Sequence, residues 1–179
     1  MVFMVVMDKS GMIIFGIISA LLHEIGHLIA AYFQNKKIKK INFGFASVDI
    51  ILNGQNFENS FLVLTSGSLV NFILALIFEI LYLYFGSLVC NVIAYQNLCI
   101  GIFNLLPINS LDGGQIFFSL LNKKIDILLA EKISNVISFI FLVPICILGF
   151  LVLINSKYNF SLLILSCYLI SYIYFKENL

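Results

Sequence analysis

Apolar residues run through this chain in long blocks, and the breaks between them are few enough to be read one at a time. The first block extends roughly from Met12 to Phe33. A helix needs on the order of 20 such residues to cross about 30 Å of hydrocarbon, so this block predicts a membrane-spanning helix. Lys36, Lys37, Lys39 and Lys40 close it. From Ile41 to Leu52 the period changes, with apolar residues alternating at Ile41, Phe43 and Phe45 and again at Val48, Ile50 and Leu52. Period two predicts two short strands, paired as a small membrane-associated hairpin and followed by an Asn53-Gly54 turn.

Two further blocks, about Phe61 to Phe85 and Leu88 to Leu106, are separated by Gly86-Ser87 and predict a second and a third span. Pro107 breaks the helix, and the stretch from Asn109 to Gly114 is too polar and glycine-rich to continue facing lipid. Gln115 to Leu121 is expected as a short re-entrant segment. The last blocks, near Ile133 to Ile154 and Phe160 to Phe175, predict two more spans, with Pro144 and Gly149 as kink points in the former. The expected fold is therefore an all-α polytopic membrane protein. It has about five transmembrane helices, a re-entrant segment and a β-hairpin, in one membrane-embedded domain covering 1–179.

Composition agrees with that pattern. Of 179 residues 61% are hydrophobic and 11% charged, and the mean hydropathy is +1.08, which places the chain in a lipid bilayer and leaves no room for a sizeable soluble module. The net charge of +1 gives no reason to expect a nucleic-acid partner. Cys90, Cys99, Cys146 and Cys167 stand singly in apolar surroundings and read as small apolar residues. The start of the chain lacks a basic leader and a small-residue cleavage site, so no removable signal peptide is expected. The chain has no arginine, so its fixed positive charges are all lysines. With the end of the first span inside, strict alternation leaves only Lys9 and Lys157 outside, which predicts an external N-terminus and a cytoplasmic C-terminus.

One interruption of the first block is the anomaly: His23-Glu24-Ile25-Gly26-His27. Residues four apart on a helix are separated by about 6 Å in height and about 40° in azimuth, a spacing that lets two imidazoles share one Zn²⁺. Glu24, in such a motif, does not ligate the metal but takes a proton from water. Ionisable groups inside a span cost a few kcal/mol each even on lenient insertion scales, so they are expected to face a protein interior and to serve a function. Two histidines leave a zinc site short of a third protein ligand, and the chain has no other histidine. Of the carboxylates in apolar surroundings, Glu79 and Asp112, the lysine-derived topology puts only Asp112 on the side of the histidines.

His23-Glu-Ile-Gly-His27 in a span, Asn104-Leu-Leu-Pro107 and Leu111-Asp112-Gly-Gly114 together resemble the site-2 protease family of intramembrane zinc metalloproteases. The similarity is to its compact branch, typified by the sporulation sigma-factor processing protease. Ser66-Gly67-Ser68-Leu-Val-Asn71 is similar to the family's Gly-Pro-x-x-Asn element, with serine in the proline position. These elements fall within a catalytic core of about 11–121; the C-terminal helices, about 133–175, carry no matching motif.

The resemblance implies cleavage of transmembrane or membrane-bound protein substrates near the cytoplasmic face. It implies one zinc ion on His23, His27 and Asp112, Glu24 as the catalytic base, and a bacterial plasma membrane as the setting. Asn71 and Asn104 are candidates to hold substrate backbone or the oxyanion, against the alternative that they only satisfy helix carbonyls. Neither the family's inserted peptide-binding domain nor its C-terminal nucleotide-binding domain is expected, so the chain reads as a minimal version. Two other readings stay open. One is a different class of membrane zinc peptidase; the other is a non-catalytic adaptor or transporter subunit with a structural metal site.

Overall fold

The computed structural model describes residues 12–34, 38–43, 48–52, 57–156, 167 and 169–171. In chain order these form helix α1 (Met12–Phe33), strands β1 (Ile38–Phe43) and β2 (Val48–Leu52), and helices α2 (Phe57–Phe85), α3 (Leu88–Asn104), α4 (Asp112–Asn122) and α5 (Ile127–Ser156). The molecule is mostly helical. Three of the helices are long and apolar enough to cross a membrane, over Ile14–Phe33, Phe61–Phe85 and Ile127–Leu151, and Leu88–Asn104 is a shorter apolar helix. The expected last span, Phe160 to Phe175, lies largely outside the described residues, as does the Asn53-Gly54 turn.

Two compact units divide the chain, Met1–Leu105 and Leu106–Leu179. In the first, α1 packs on α2, and α2 on α3. The faces that meet carry many small and polar residues, most of them four apart. On α1 the buried positions include Ser19, His23, His27 and Ala31; on α2, Val63, Asn71 and Ala75; on α3, Ile93, Ala94 and Asn97. Large side chains point the other way: Leu21, Ile25 and Ile29 of α1 and Leu69, Ile73, Leu76 and Ile80 of α2 are exposed. This arrangement reverses the amphipathic helix of a water-soluble domain. Lipid tails are as apolar as leucine, so helices in a bilayer gain most from close backbone approach and interhelical hydrogen bonds.

Gly86 makes the α2–α3 turn. Its φ of 65° lies in the left-handed region, where a Cβ is penalised, and its N–H closes on the Tyr82 carbonyl at 2.8 Å. β1 and β2 pair antiparallel, with Ile41 opposite Ile50 and Phe43 opposite Val48. The first strand begins at Ile38, three residues before the alternation of apolar residues starts, because Lys40 pairs with Ile51 and Ile38 with Leu52, with a register irregularity between Ile38 and Lys40 that skips Lys39.

The second unit holds α4 and α5. Helix α5 starts at Ile127, six residues earlier than the apolar block; Glu131 and Lys132, which interrupt the block, sit on its exposed face and do not interrupt the helix. It continues through Pro144. Its buried stripe is Ala130, Ser134, Ser138 and Leu142, again four apart and mostly small. Residues 112–122 form a true short helix, with Asp112 as its first residue and Leu111 as an extended N-cap.

Candidate metal centre

The α1–α2 interface carries the two histidines. Both imidazoles are buried, at 4% exposure for His23 and 6% for His27. Their Nε2 atoms lie 3.2 Å apart, with the rings at 85° to one another. Two nitrogens each about 2.0–2.1 Å from a tetrahedral zinc would be separated by about 3.3–3.4 Å, so this spacing fits a shared ion.

His27 is oriented from its far side. Its Nδ1 donates to the Val63 carbonyl at 2.7 Å, which leaves Nε2 as the lone-pair atom and turns it toward His23. Donation of the second ring N–H to a carbonyl is the usual outer support of a metal-binding histidine. The carbonyl is available although it lies within a helix. It also accepts from the Ser66 hydroxyl at 2.6 Å, and the same hydroxyl lies 3.1 Å from the Gly26 carbonyl on α1.

Two glycines allow the helices to come this close. A Cβ on Gly26 would meet Val70 Cγ2 at 2.9 Å, the Ser66 carbonyl oxygen at 3.1 Å and Gly67 Cα at 3.2 Å. One on Gly67 would stand 2.5 Å from His27 Nε2 and 2.7 Å from His23 Nε2. The absent Cβ of Gly67 is thus the space that both ligand atoms face. An ion there has room that any other residue would fill.

Glu24 is half-buried on α1 beside His23. In the second unit Asp112 is half-buried and sits in the first turn of α4, where a carboxylate complements the positive end of the helix dipole. His23, His27 and Asp112 are the group of histidine and acidic residues, among those described, that could hold a metal ion. Two imidazoles and a carboxylate are a zinc donor set. Glu79, the other acid in apolar surroundings, lies twelve residues beyond Gly67 on α2. That is about 18 Å along the axis, too far to share the ion.

The two asparagines differ. Asn71 is 0% exposed, and neither its amide nitrogen nor its oxygen has a hydrogen-bond partner among the described residues; it stands one turn from Gly67 on α2. Asn104 donates back to the Ile100 carbonyl at 3.2 Å, as a helix-satisfying amide does. The cysteines are free thiols. Sequence reasoning placed Gly26, Ser66 and Gly67 within motifs of the core but gave them no role, and it missed Ser134 and Ser138 on α5. Small and polar residues recurring every four positions inside apolar blocks were the signal that could have found them.

Residues 87–148 match Peptidase family M50. The chain is 32% identical over 126 residues to a zinc metalloprotease of Methanocaldococcus jannaschii, an alignment covering 65% of this chain and 36% of that relative. It therefore spans about a third of the length of the curated relative it matches. Among solved structures it is similar to the site-2 protease from Methanocaldococcus jannaschii, with a TM-score of 0.71 and 26% identity, covering 94% of this chain and 80% of that one.

Proposed function

We propose that the chain is a member of peptidase family M50, the site-2 proteases, and that it is an intramembrane zinc metalloprotease acting on transmembrane or membrane-bound proteins. The observation that carries this reading is the facing pair of His23 and His27 Nε2 atoms, buried in an apolar helix over Gly67, with Glu24 next in sequence. A merely structural polar contact between helices has no use for that carboxylate or for the space at Gly67.

The roles are assigned as follows. His23 and His27 supply two ligand nitrogens and Asp112 a ligand oxygen. Zinc bound by them would polarise the scissile carbonyl and bring the pKa of a water toward neutrality. Glu24 accepts the proton of the attacking water and delivers it to the departing amine, so that one water is consumed and no net proton is gained. Asn71, buried with its amide atoms unpartnered, is the better candidate for a hydrogen bond to the substrate carbonyl, because a buried polar group without a partner calls for an explanation. Asn104 is the weaker one.

A helical substrate hides its peptide bonds, so it must unwind before attack. Among the described residues the β1–β2 sheet has two strands, and an extended segment could add to an outer edge as a further strand. Phe43→Pro should then lower cleavage more than folding; an unchanged rate would refute this role for the hairpin. The proposed topology keeps the N-terminus outside and places cleavage toward the cytoplasmic side.

The deciding experiment co-expresses the chain with candidate single-span substrates. Glu24→Gln should retain one zinc per chain and lose cleavage by about 10²–10⁴-fold. Wild-type cleavage by that variant would overturn the mechanism. Zinc in the wild type with no cleavage of any membrane substrate would instead favour a non-catalytic membrane protein. A zinc site that survives Asp112→Ala would favour a different class of zinc peptidase.

A further inference from the structure

Asp112 opens α4 directly after the loop 107–111, and that loop is held from two sides within the second unit. On one side is Gly114, where a Cβ would sit 2.0 Å from the Ile108 carbonyl oxygen and 2.6 Å from the Asn109 nitrogen. On the other side is α5. The backbone N–H of Asn109 donates to Ser138 Oγ at 2.9 Å, its side-chain Nδ2 donates to Asn135 Oδ1, and its Oδ1 accepts from the Ser134 hydroxyl. Ser138 sends its own hydrogen to the Ser134 carbonyl at 2.8 Å, with the Pro107 carbonyl 3.4 Å away. Ser134 and Ser138 are both fully buried.

We infer that Asn109, Ser134 and Ser138 are positioning residues that fix the direction of the Asp112 carboxylate. This inference rests on the reading of Asp112 as a zinc ligand. The start of α4 cannot fix that direction alone, because its N-cap, Leu111, makes no side-chain capping bond. Local turns secure Ile108, whose N–H reaches the Leu106 carbonyl at 2.7 Å, and Leu111, whose N–H reaches the Ile108 carbonyl at 2.8 Å. Asn109 is secured by α5. It lies three residues before Asp112, so a shift of the loop at Asn109 moves the start of the helix and the carboxylate with it. A carboxylate ligand must stand about 2.0–2.2 Å from zinc, which leaves a tolerance of a few tenths of an ångström. One asparagine that uses its backbone donor, its side-chain donor and its side-chain acceptor on a single helix supplies that precision. Ser134, Asn135 and Ser138 therefore act as a polar receptacle in an otherwise apolar span.

The test measures zinc affinity of the full chain in detergent micelles by competition with a chromogenic chelator, with helical content and thermal midpoint recorded for each variant. Asp112→Ala should lose most of the affinity. Asn109→Ala and Ser138→Ala should weaken zinc binding by about 10–100-fold, the usual effect of losing outer support of a ligand. Their Co²⁺-loaded forms should differ from wild type in visible absorption, which reports ligand geometry without requiring catalysis. Ser138→Thr, which keeps the hydroxyl but adds a methyl group at a fully buried position, should bind zinc more tightly than Ser138→Ala. The inference is overturned by folded Asn109→Ala and Ser138→Ala proteins that bind zinc as the wild type does while Asp112→Ala does not. If Asn109→Ala fails to fold, Ser134→Ala and Ser138→Ala decide in the same way. Unchanged affinity in Asp112→Ala overturns the ligand reading itself, and the inference with it.

Discussion

Gly67→Ala is the smallest change that should damage the metal centre, since it adds one methyl group to a helix that otherwise favours alanine over glycine by roughly 1 kcal/mol. The new Cβ would lie 2.5 Å from His27 Nε2 and 2.7 Å from both His23 Nε2 and His27 Cε1. Ordinary contacts between such atoms are about 3.5–4.0 Å, so roughly 1 Å of separation must be found. The His27 ring cannot easily supply it, because its Nδ1 is tied to Val63 on the same helix at 2.7 Å. Separating the helices is no easier, given the Gly26 to Ser66 bond at 3.1 Å. Either the ring leaves Val63 or the two Nε2 atoms are pushed from their 3.2 Å spacing. Loss of an outer partner typically costs 10–100-fold in metal affinity, and overpacking costs about 1–3 kcal/mol of stability. The assay is chelator competition on the purified protein, paired with thermal unfolding followed by circular dichroism. Gly16→Ala, which meets nothing within 4 Å, is the control and should bind zinc normally. A Gly67→Ala protein with wild-type zinc affinity and an intact fold would refute this account of the site.

Three further outcomes are expected. Removing zinc with a strong chelator should abolish proteolysis, and adding it back should restore activity and raise the thermal midpoint, because a ligand at about 100 times its Kd stabilises by about 2.7 kcal/mol. Glu79→Gln should leave zinc stoichiometry and affinity unchanged, which metal analysis would check. Gly101→Ala places a Cβ 2.8 Å from Phe72 Cε1 on the neighbouring helix; it should destabilise the first unit by about 1–3 kcal/mol without altering zinc affinity, as unfolding and chelator titrations would show.

Much of this molecule was legible in its sequence because hydrocarbon imposes strict terms. A block such as Phe61 to Phe85 has few alternatives to a spanning helix, and His23, Glu24 and His27 inside a similar block are too costly to be accidental. Helix ends were read less well. The apolar block was read from Ile133, after the charges at Glu131 and Lys132, yet a charged turn can project outward from a helix that continues, as α5 does from Ile127. What supports the ligands was hidden for a different reason. Gly67, Ser66 and Val63 act through an absent atom, a hydroxyl and a backbone carbonyl, and none of these announces a role until α1 and α2 are set side by side. Asn109 looked like an ordinary loop residue, because its partners are 25 to 29 positions away on α5.

The three packed helices of the first unit are unequal in reach, and this bears on the lipid around them. At about 1.5 Å per residue the apolar part of α1, 20 residues, spans about 30 Å; that of α2, 25 residues, about 37 Å; and α3, 17 residues, about 25 Å. No single bilayer thickness matches all three. A thick membrane suits α2 and strands the ends of α3, whereas a thin one suits α3 and forces α2 to lean or to gather lipid around it, at fractions of a kcal/mol per ångström. Since α2 carries Gly67 and Val63, its lean sets the backing against which the imidazoles rest. If that lean reaches the metal centre, a series of vesicles of graded acyl-chain length should show an optimum in zinc affinity.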